Sequence, residues 1–155
     1  MDIYVASGKG VGDTLKSAFD EALFQIGIAD FNIIYLSSIL PQPAQIIEKK
    51  YPAKEAQYAN KMYAIVAQEL TDIPGNEVWA GLAWARQKNG KGLFVESHGD
   101  SKAFVENYLQ STMLDLMKRR GKKYGEISYH VAGLTCKTRP VCAMVAACYK
   151  SEGWK

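Results

Sequence analysis

The chain has 155 residues, 48% hydrophobic and 23% charged, which is the size of one globular domain able to bury a substantial core. Nineteen Lys and Arg against sixteen Asp and Glu leave a formal charge of +3, scattered apart from Lys118, Arg119, Arg120, Lys122 and Lys123. That cluster closes a predicted helix, where cations complement the helix dipole, so it is read as a solvated helix end and not as a nucleic-acid surface.

No apolar run approaches the ~20 residues needed to span a bilayer, and the acidic start Met1-Asp2 is unlike a secretory signal. The expectation is a cytoplasmic protein with neither a membrane nor a nucleic-acid partner. Cys136, Cys142 and Cys148 are each separated by five residues, which fits neither a zinc pattern nor an even disulfide framework. They read as small buried hydrophobes; a Cys136–Cys142 bridge is disfavoured in a reducing compartment.

Ile3 to Ala6 reads as a short strand, and Gly8-Lys9-Gly10-Val11-Gly12 as a flexible turn leading into a helix. A dinucleotide fingerprint would need a glycine where Asp13 stands, and a P-loop would need Ser or Thr after Gly8-Lys9. Leu15, Ala18, Phe19, Ala22, Leu23 and Ile26 recur with helical period, predicting a helix over about 14–26 with Asp13 as N-cap and Gly27 at C′. Asn32 to Leu36 then reads as a strand running into Ser37-Ser38-Ile39-Leu40-Pro41. The polar, proline-punctuated stretch 42–60 is expected to be a long surface loop. Strand signals resume at Tyr63 to Ala67. Asn89-Gly90 between the runs Glu77–Arg86 and Gly92–Glu96 predicts an antiparallel hairpin.

Ser101 or Asp100 can cap a second helix carrying Phe104, Val105, Tyr108, Leu109, Met113 and Leu116 on one broad face and ending at Gly121. Ile127–Cys136 and Val141–Tyr149 read as a closing hairpin, the second run apolar enough to be buried on both faces. Two helices and about seven strands give an α+β fold, a layered αββα sandwich in a single domain.

Two segments could carry chemistry. Taken alone, Ser37-Ser38 is a pair of hydroxyls at a strand end, as in many turns and caps. Its context is stiffer than most: an apolar strand before it, then an apolar residue and proline, an arrangement able to hold one peptide carbonyl in a strained, exposed geometry. Glu96-Ser97-His98-Gly99-Asp100 alternates Glu, His and Asp at a strand end. A metal site is not adopted, because one segment offers only two or three ligands, the other histidine, His130, lies in another strand, and no H-E-x-x-H spacing exists. Both histidines read as ordinary satisfied side chains.

Asp13-Thr14, Ala18-Phe19-Asp20-x-Ala22-Leu23, Gly27-Ile28, Asn32, Leu36-Ser37-Ser38-Ile39-Leu40-Pro41, Glu96-x-x-Gly99 before a helix, and an Ala-rich strand ending in Tyr149-Lys150 follow in that order. This series resembles the pyruvoyl-dependent arginine decarboxylases over nearly the whole chain, most specifically around Ser37-Ser38 and least from about 42 to 60.

The resemblance implies that the chain cuts itself between Ser37 and Ser38. Ser38 Oγ would attack the Ser37 carbonyl, the ester would break by β-elimination, and the remaining dehydroalanine would hydrolyse to a covalent pyruvoyl group at position 38. Residues 1–37 become a small chain and 38–155 a large one, with Asn32 matching an asparagine related to processing. The resemblance further implies a Schiff base between that group and the substrate α-amine, which replaces pyridoxal phosphate as electron sink while arginine becomes agmatine and carbon dioxide.

By the same resemblance Glu96 is the proton donor, a role that an apolar pocket favours for a carboxyl, with Phe94, Val95, Ile39 and Leu40 as candidate surroundings. Asp20 matches the carboxylate that reads the guanidinium, Ile39 is a substrate-binding position, and the assembly is a trimer or a pair of trimers with each pocket between neighbours. The alternatives are a decarboxylase of another amino acid with the same cofactor, or an unprocessed trimeric binding module without activity.

Overall fold

A computed structural model describes all 155 residues, Met1 to Lys155. Nine strands and two helices follow in the order β1 (Asp2–Val11), α1 (Leu15–Ile26), β2 (Asn32–Tyr35), β3 (Ile39–Leu40), β4 (Gln45–Glu48), β5 (Lys61–Thr71), β6 (Glu77–Arg86), β7 (Gly92–Gly99), α2 (Lys102–Arg120), β8 (Ser128–Thr135) and β9 (Val141–Glu152). The strands form two sheets, a five-stranded one in the order β2-β5-β9-β1-β4 and a four-stranded one in the order β3-β7-β6-β8.

Alternation along the strands decides what fills each layer. Ile3, Val5, Ile65, Ala67, Val145 and Ala147 of the first sheet meet Val78, Ala80, Leu82 and Phe94 of the second in a core of 16 buried residues. The opposite face of the first sheet, with Met62, Ala64, Met144 and Cys148, packs under Ala18, Ala22 and Ile26 of α1. The outer face of the second sheet, with Ala83, Leu93 and Val95, packs under Val105, Leu109 and Met113 of α2. The layers are therefore helix, sheet, sheet, helix in one α+β domain. Strand β9 lies between β5 and β1 and is buried from Val141 through Cys148, as its continuous apolar run requires.

Several local expectations change. The glycines near the N-terminus do not form a turn: β1 continues through Gly8 and Gly10 to Val11. A Cβ on Gly10 would lie 1.9 Å from the Ala18 carbonyl oxygen, and one on Gly8 2.2 Å from that of Ala22. These glycines let the helix backbone lie directly on the strand. The N-cap of α1 is Thr14, not Asp13. Thr14 Oγ1 accepts from the Ser17 amide at 3.1 Å and Ser17 Oγ accepts from the Thr14 amide at 3.0 Å, while Asp13 pairs with Arg139 at 2.9 Å. Gly27 takes the left-handed C-cap conformation as expected.

The 42–60 segment is not all loop, because Gln45–Glu48 adds a parallel edge strand beside β1 and Glu55–Gln57 forms a 3-10 turn. Strands β8 and β9 do not pair as a hairpin. Both edges of β9 are already taken by β1 and β5, so β8 joins β6 in the other sheet and the turn between them crosses the sandwich. The β6–β7 hairpin forms as expected, with Arg86 opposite Gly92, but β7 runs on to Gly99. Glu96 is thus inside a strand and not at its end. Ser101 caps α2, accepting from the Phe104 amide at 3.1 Å. The buried seam of α2 is narrower than its apolar face: Phe104 and Tyr108 remain 52% and 49% exposed, their tilted rings 6.1 Å apart between centroids.

Candidate active site

The serine pair lies where the chain passes from one sheet to the other. Strand β2 is an edge of the first sheet, paired in parallel with β5, and β3 is an edge of the second, paired antiparallel with β7. Only Leu36, Ser37 and Ser38 connect them. The crossing is pinned at both ends. The Leu36 amide donates to the Ala64 carbonyl at 2.9 Å, and the Phe94 amide donates to the Ser38 carbonyl at 2.8 Å. The Ser37–Ser38 peptide is therefore held between the two sheets. Ser37 is exposed, Ser38 half-buried, Ile39 exposed and Leu40 fully buried.

Strand β3 covers β7 only at Gly92 and Leu93, with the Ser38 carbonyl as the last contact. Beyond it the edge of β7 is open. Phe94 faces the core between the sheets, and Glu96, two residues on, shares that face about 7 Å further along the strand. Glu96 is half-buried. One more step along the same face is His98, whose Nδ1 lies 2.8 Å from Glu69 Oε2 on β5, so this pair ties the two sheets together at the rim. Of the apolar surroundings expected for Glu96, Phe94 lies on its face of β7. Val95 points instead to α2, as alternation demands.

Ser37, Ser38, Ile39 and Glu96 are therefore placed along the open edge of β7, with Ile39, opposite Leu93, on the α2 face of the sheet and Glu96 on the inner face. Asn32 and Asp20 are not. Asn32 opens β2 six residues before Ser38, a span of up to about 20 Å in extended chain, and its side-chain amide donates to the Ala59 carbonyl at 2.8 Å. Asp20 is exposed on the solvent side of α1, between the buried Ala18 and Ala22, and the whole first sheet separates it from the face that carries Glu96.

No group of three or more His, Cys, Asp or Glu side chains comes close enough to hold a metal ion. His130 pairs with Glu48 at 3.1 Å, so both histidines have carboxylate partners. The three cysteines are free thiols, with Cys136 and Cys142 in different core layers. No helix is long and apolar enough to cross a membrane.

Sequence reasoning missed two parts of this site. The Phe94 amide is a backbone group that no residue pattern advertises. Tyr149, whose hydroxyl donates to the Ile39 carbonyl at 2.8 Å, is the first large polar side chain after the small-residue run of β9. That break in composition was the available signal.

The sequence profile of the pyruvoyl-dependent arginine decarboxylases matches residues 2–153. The chain is 26% identical over 143 residues to a pyruvoyl-dependent arginine decarboxylase of Thermococcus kodakarensis, spanning 91% of this chain and 89% of that protein. It is 31% identical over 137 residues to one from Thermococcus sibiricus, spanning 87% and 85%, and 33% identical over 95 residues to one from Halobacterium salinarum, spanning 61% and 59%. With a match that covers nearly every residue and a serine pair strung between two sheets beside a carboxyl, the chain belongs to the pyruvoyl-dependent arginine decarboxylase family.

Proposed function

We propose that this chain decarboxylates L-arginine to agmatine, using a pyruvoyl group that it makes from Ser38. The observation that carries the reading is the doubly pinned crossing at Ser37-Ser38, with Glu96 on the adjoining open face. In the proposed processing, Ser38 Oγ adds to the Ser37 carbonyl carbon and the Ser37–Ser38 amide bond breaks to leave an ester. β-Elimination releases Ser37 as a carboxylate, and water displaces ammonia from the remaining dehydroalanine. The fit is sterically simple, since a pyruvoyl unit has the three carbons of Ser38 and needs no more room than that residue already occupies.

When formed, the group supplies an electron sink for an α-amino acid losing carbon dioxide. The chain's own residues do the rest. The Phe94 amide fixes the carbonyl of residue 38 by the same hydrogen bond it makes now. Glu96 holds the proton that the substrate α-carbon takes up once carbon dioxide has left. Ile39 lies exposed beside residue 38 as an apolar contact for the substrate.

Asp20 reads the guanidinium with paired hydrogen bonds. A whole sheet separates Asp20 from Glu96 within one protomer, which favours a pocket completed by a neighbour, and hence the trimer or pair of trimers. The Asn32 amide, engaged with the Ala59 carbonyl, contributes to processing under the same arrangement.

Residues 1–37 carry β1, α1 and β2, and 38–155 carry the rest of the domain. Strand β1 lies between β9 and β4, and β2 pairs with β5, so sheet hydrogen bonds and both core layers retain the small chain after the cut. The free thiols suit a reducing cytoplasm.

Intact-mass measurement tests the reading directly. The expected result is two fragments that co-elute under native conditions and separate in denaturant, the larger beginning with a pyruvoyl at 38. Ser38→Ala should remain one uncut, inactive chain of about 17.2 kDa. An uncut wild type that still decarboxylates would falsify the mechanism. Release of carbon dioxide from another amino acid in preference to arginine would reassign the substrate, and an uncut, inactive wild type would leave a binding module.

A further inference from the structure

Strand β3 has two residues and one partner strand. The Phe94 amide reaches the Ser38 carbonyl, so the alternation of an antiparallel pair turns the Ile39 carbonyl away from β7 toward the free edge. There it meets the Tyr149 hydroxyl, which donates to it at 2.8 Å from the other sheet. The strand register accounts for the aim of this side chain. Tyr63 pairs with Lys150 and Ala64 with Cys148, which leaves Tyr149 as the extra residue of a β-bulge in β9, a device that redirects a side chain.

The Tyr149 ring also rests against Phe94, with centroids 6.2 Å apart, so the two groups that hold residues 38 and 39 brace each other. Burial pushes the Tyr149 phenol well above its usual range, which keeps it a donor.

The inference rests on the reading of residue 38 as the reactive centre. In the uncut chain, residue 38 is tethered from two sides, through Leu36 to β5 and through β3 to β7. Cutting at 37 removes the first tether and makes residue 38 a chain end, the kind of position that frays unless tied down. We propose that Tyr149 is a positioning residue whose hydroxyl, on the Ile39 carbonyl, acts with the Phe94 amide, on the Ser38 carbonyl, to clamp residues 38 and 39 and keep residue 38 docked on β7, two residues before the register of Glu96. Its contribution is small before the cut and large after it.

Tyr149→Phe keeps the ring against Phe94 and removes only the hydroxyl. The expected self-cleavage half-time, followed on a denaturing gel, is within about twofold of wild type. In the cut protein, amide exchange over residues 39–42 should accelerate roughly fivefold to tenfold, the size of one net hydrogen bond, while β5 and the rest of β9 keep their protection. kcat should fall by a similar factor with KM nearly unchanged.

In an uncut Ser38→Ala background the same substitution should raise exchange over 39–42 only about twofold. Exchange there that is unchanged in both the cut and the uncut protein overturns the clamp, and so does loosening spread equally over β5 and β9. If wild type never cuts, the proposed activity fails. The uncut comparison still decides the clamp: a local rise retains the contact, and no rise removes it.

Discussion

Phe94 donates its backbone amide to the carbonyl of Ser38 at 2.8 Å, and this bond extends the pairing of β3 by one residue along the strand that carries Glu96. Because it is made by the backbone, its position is set by the β7 register and by the burial of the Phe94 side chain in the central core. In the proposed reaction this carbonyl would accept electron density, and a donor fixed before reaction favours that, since no reorganisation is then required. The geometry around residue 38 is thus a property of two sheets and not of a loop.

Glu96→Gln should still self-cleave to two fragments while losing about 10²–10⁴-fold in turnover, the usual worth of general acid help. The check is kcat measured on protein whose complete processing has been verified by mass. Near-normal kcat would transfer the donor role elsewhere, with His98 on the same face as the next group to substitute.

Asp20→Asn should process and assemble normally and lose roughly 10¹–10³-fold in kcat/KM for arginine, since in the proposed pocket, closed over Asp20 by a neighbour, truncating one partner of the charge pair costs about 2–5 kcal/mol and Asn still accepts one hydrogen bond. Citrulline, with a neutral end, should lose much less. Equal losses on both substrates would assign Asp20 a role in folding, and no loss on either would leave it a solvated residue of α1.

Gly10→Ala should destabilise the protein by about 1–3 kcal/mol, because the added methyl would meet the Ala18 carbonyl and push α1 off β1. Urea unfolding measures this. An unchanged midpoint would mean that helix and strand do not approach as closely as described.

Burial pushes the Cys142 thiol up to about 12, with the negative charge of Glu69 adding to the effect, and burial pushes Cys148 up to about 12 as well. Neither thiol should react with iodoacetamide at pH 8 in the folded protein, and both should react in urea. The ordinary value is 9.0, so above it the unfolded chain ionises these thiols while the folded chain keeps its protons. Stability is therefore unaffected by them below about pH 9 and declines as pH rises from there toward about 12. A folding stability that stays flat between pH 9 and 11 would contradict the assignment.

Elements whose signal is local were legible in the sequence. The apolar period of α1 and its Gly27 cap gave the helix within a residue, because helical repeat and capping involve neighbours in the chain. Asn89-Gly90 marked the β6–β7 hairpin, with Gly90 at positive φ. The serine pair and Glu96 stood out once their order was compared with a family. The short strand β4 was missed because Gln45–Glu48 becomes a strand only beside β1. Phe104 and Tyr108 share the broad apolar face of α2 yet stay largely exposed, because period identifies a stripe on a helix but not the width of the surface that meets it.

By itself the sequence determined the two helices, most of the strands, and the residues available for chemistry, since composition and period along the chain are enough for these. Only the tertiary structure decided which strands share a sheet, that Gly8 and Gly10 seat a helix, that β8 and β9 part company, and that Phe94 and Tyr149 converge on residues 38 and 39. Those relationships join positions as far apart in the chain as Tyr4 and Cys148. They depend on competition among strand edges for hydrogen bonds and on close packing between layers, and neither leaves a periodic mark on the chain.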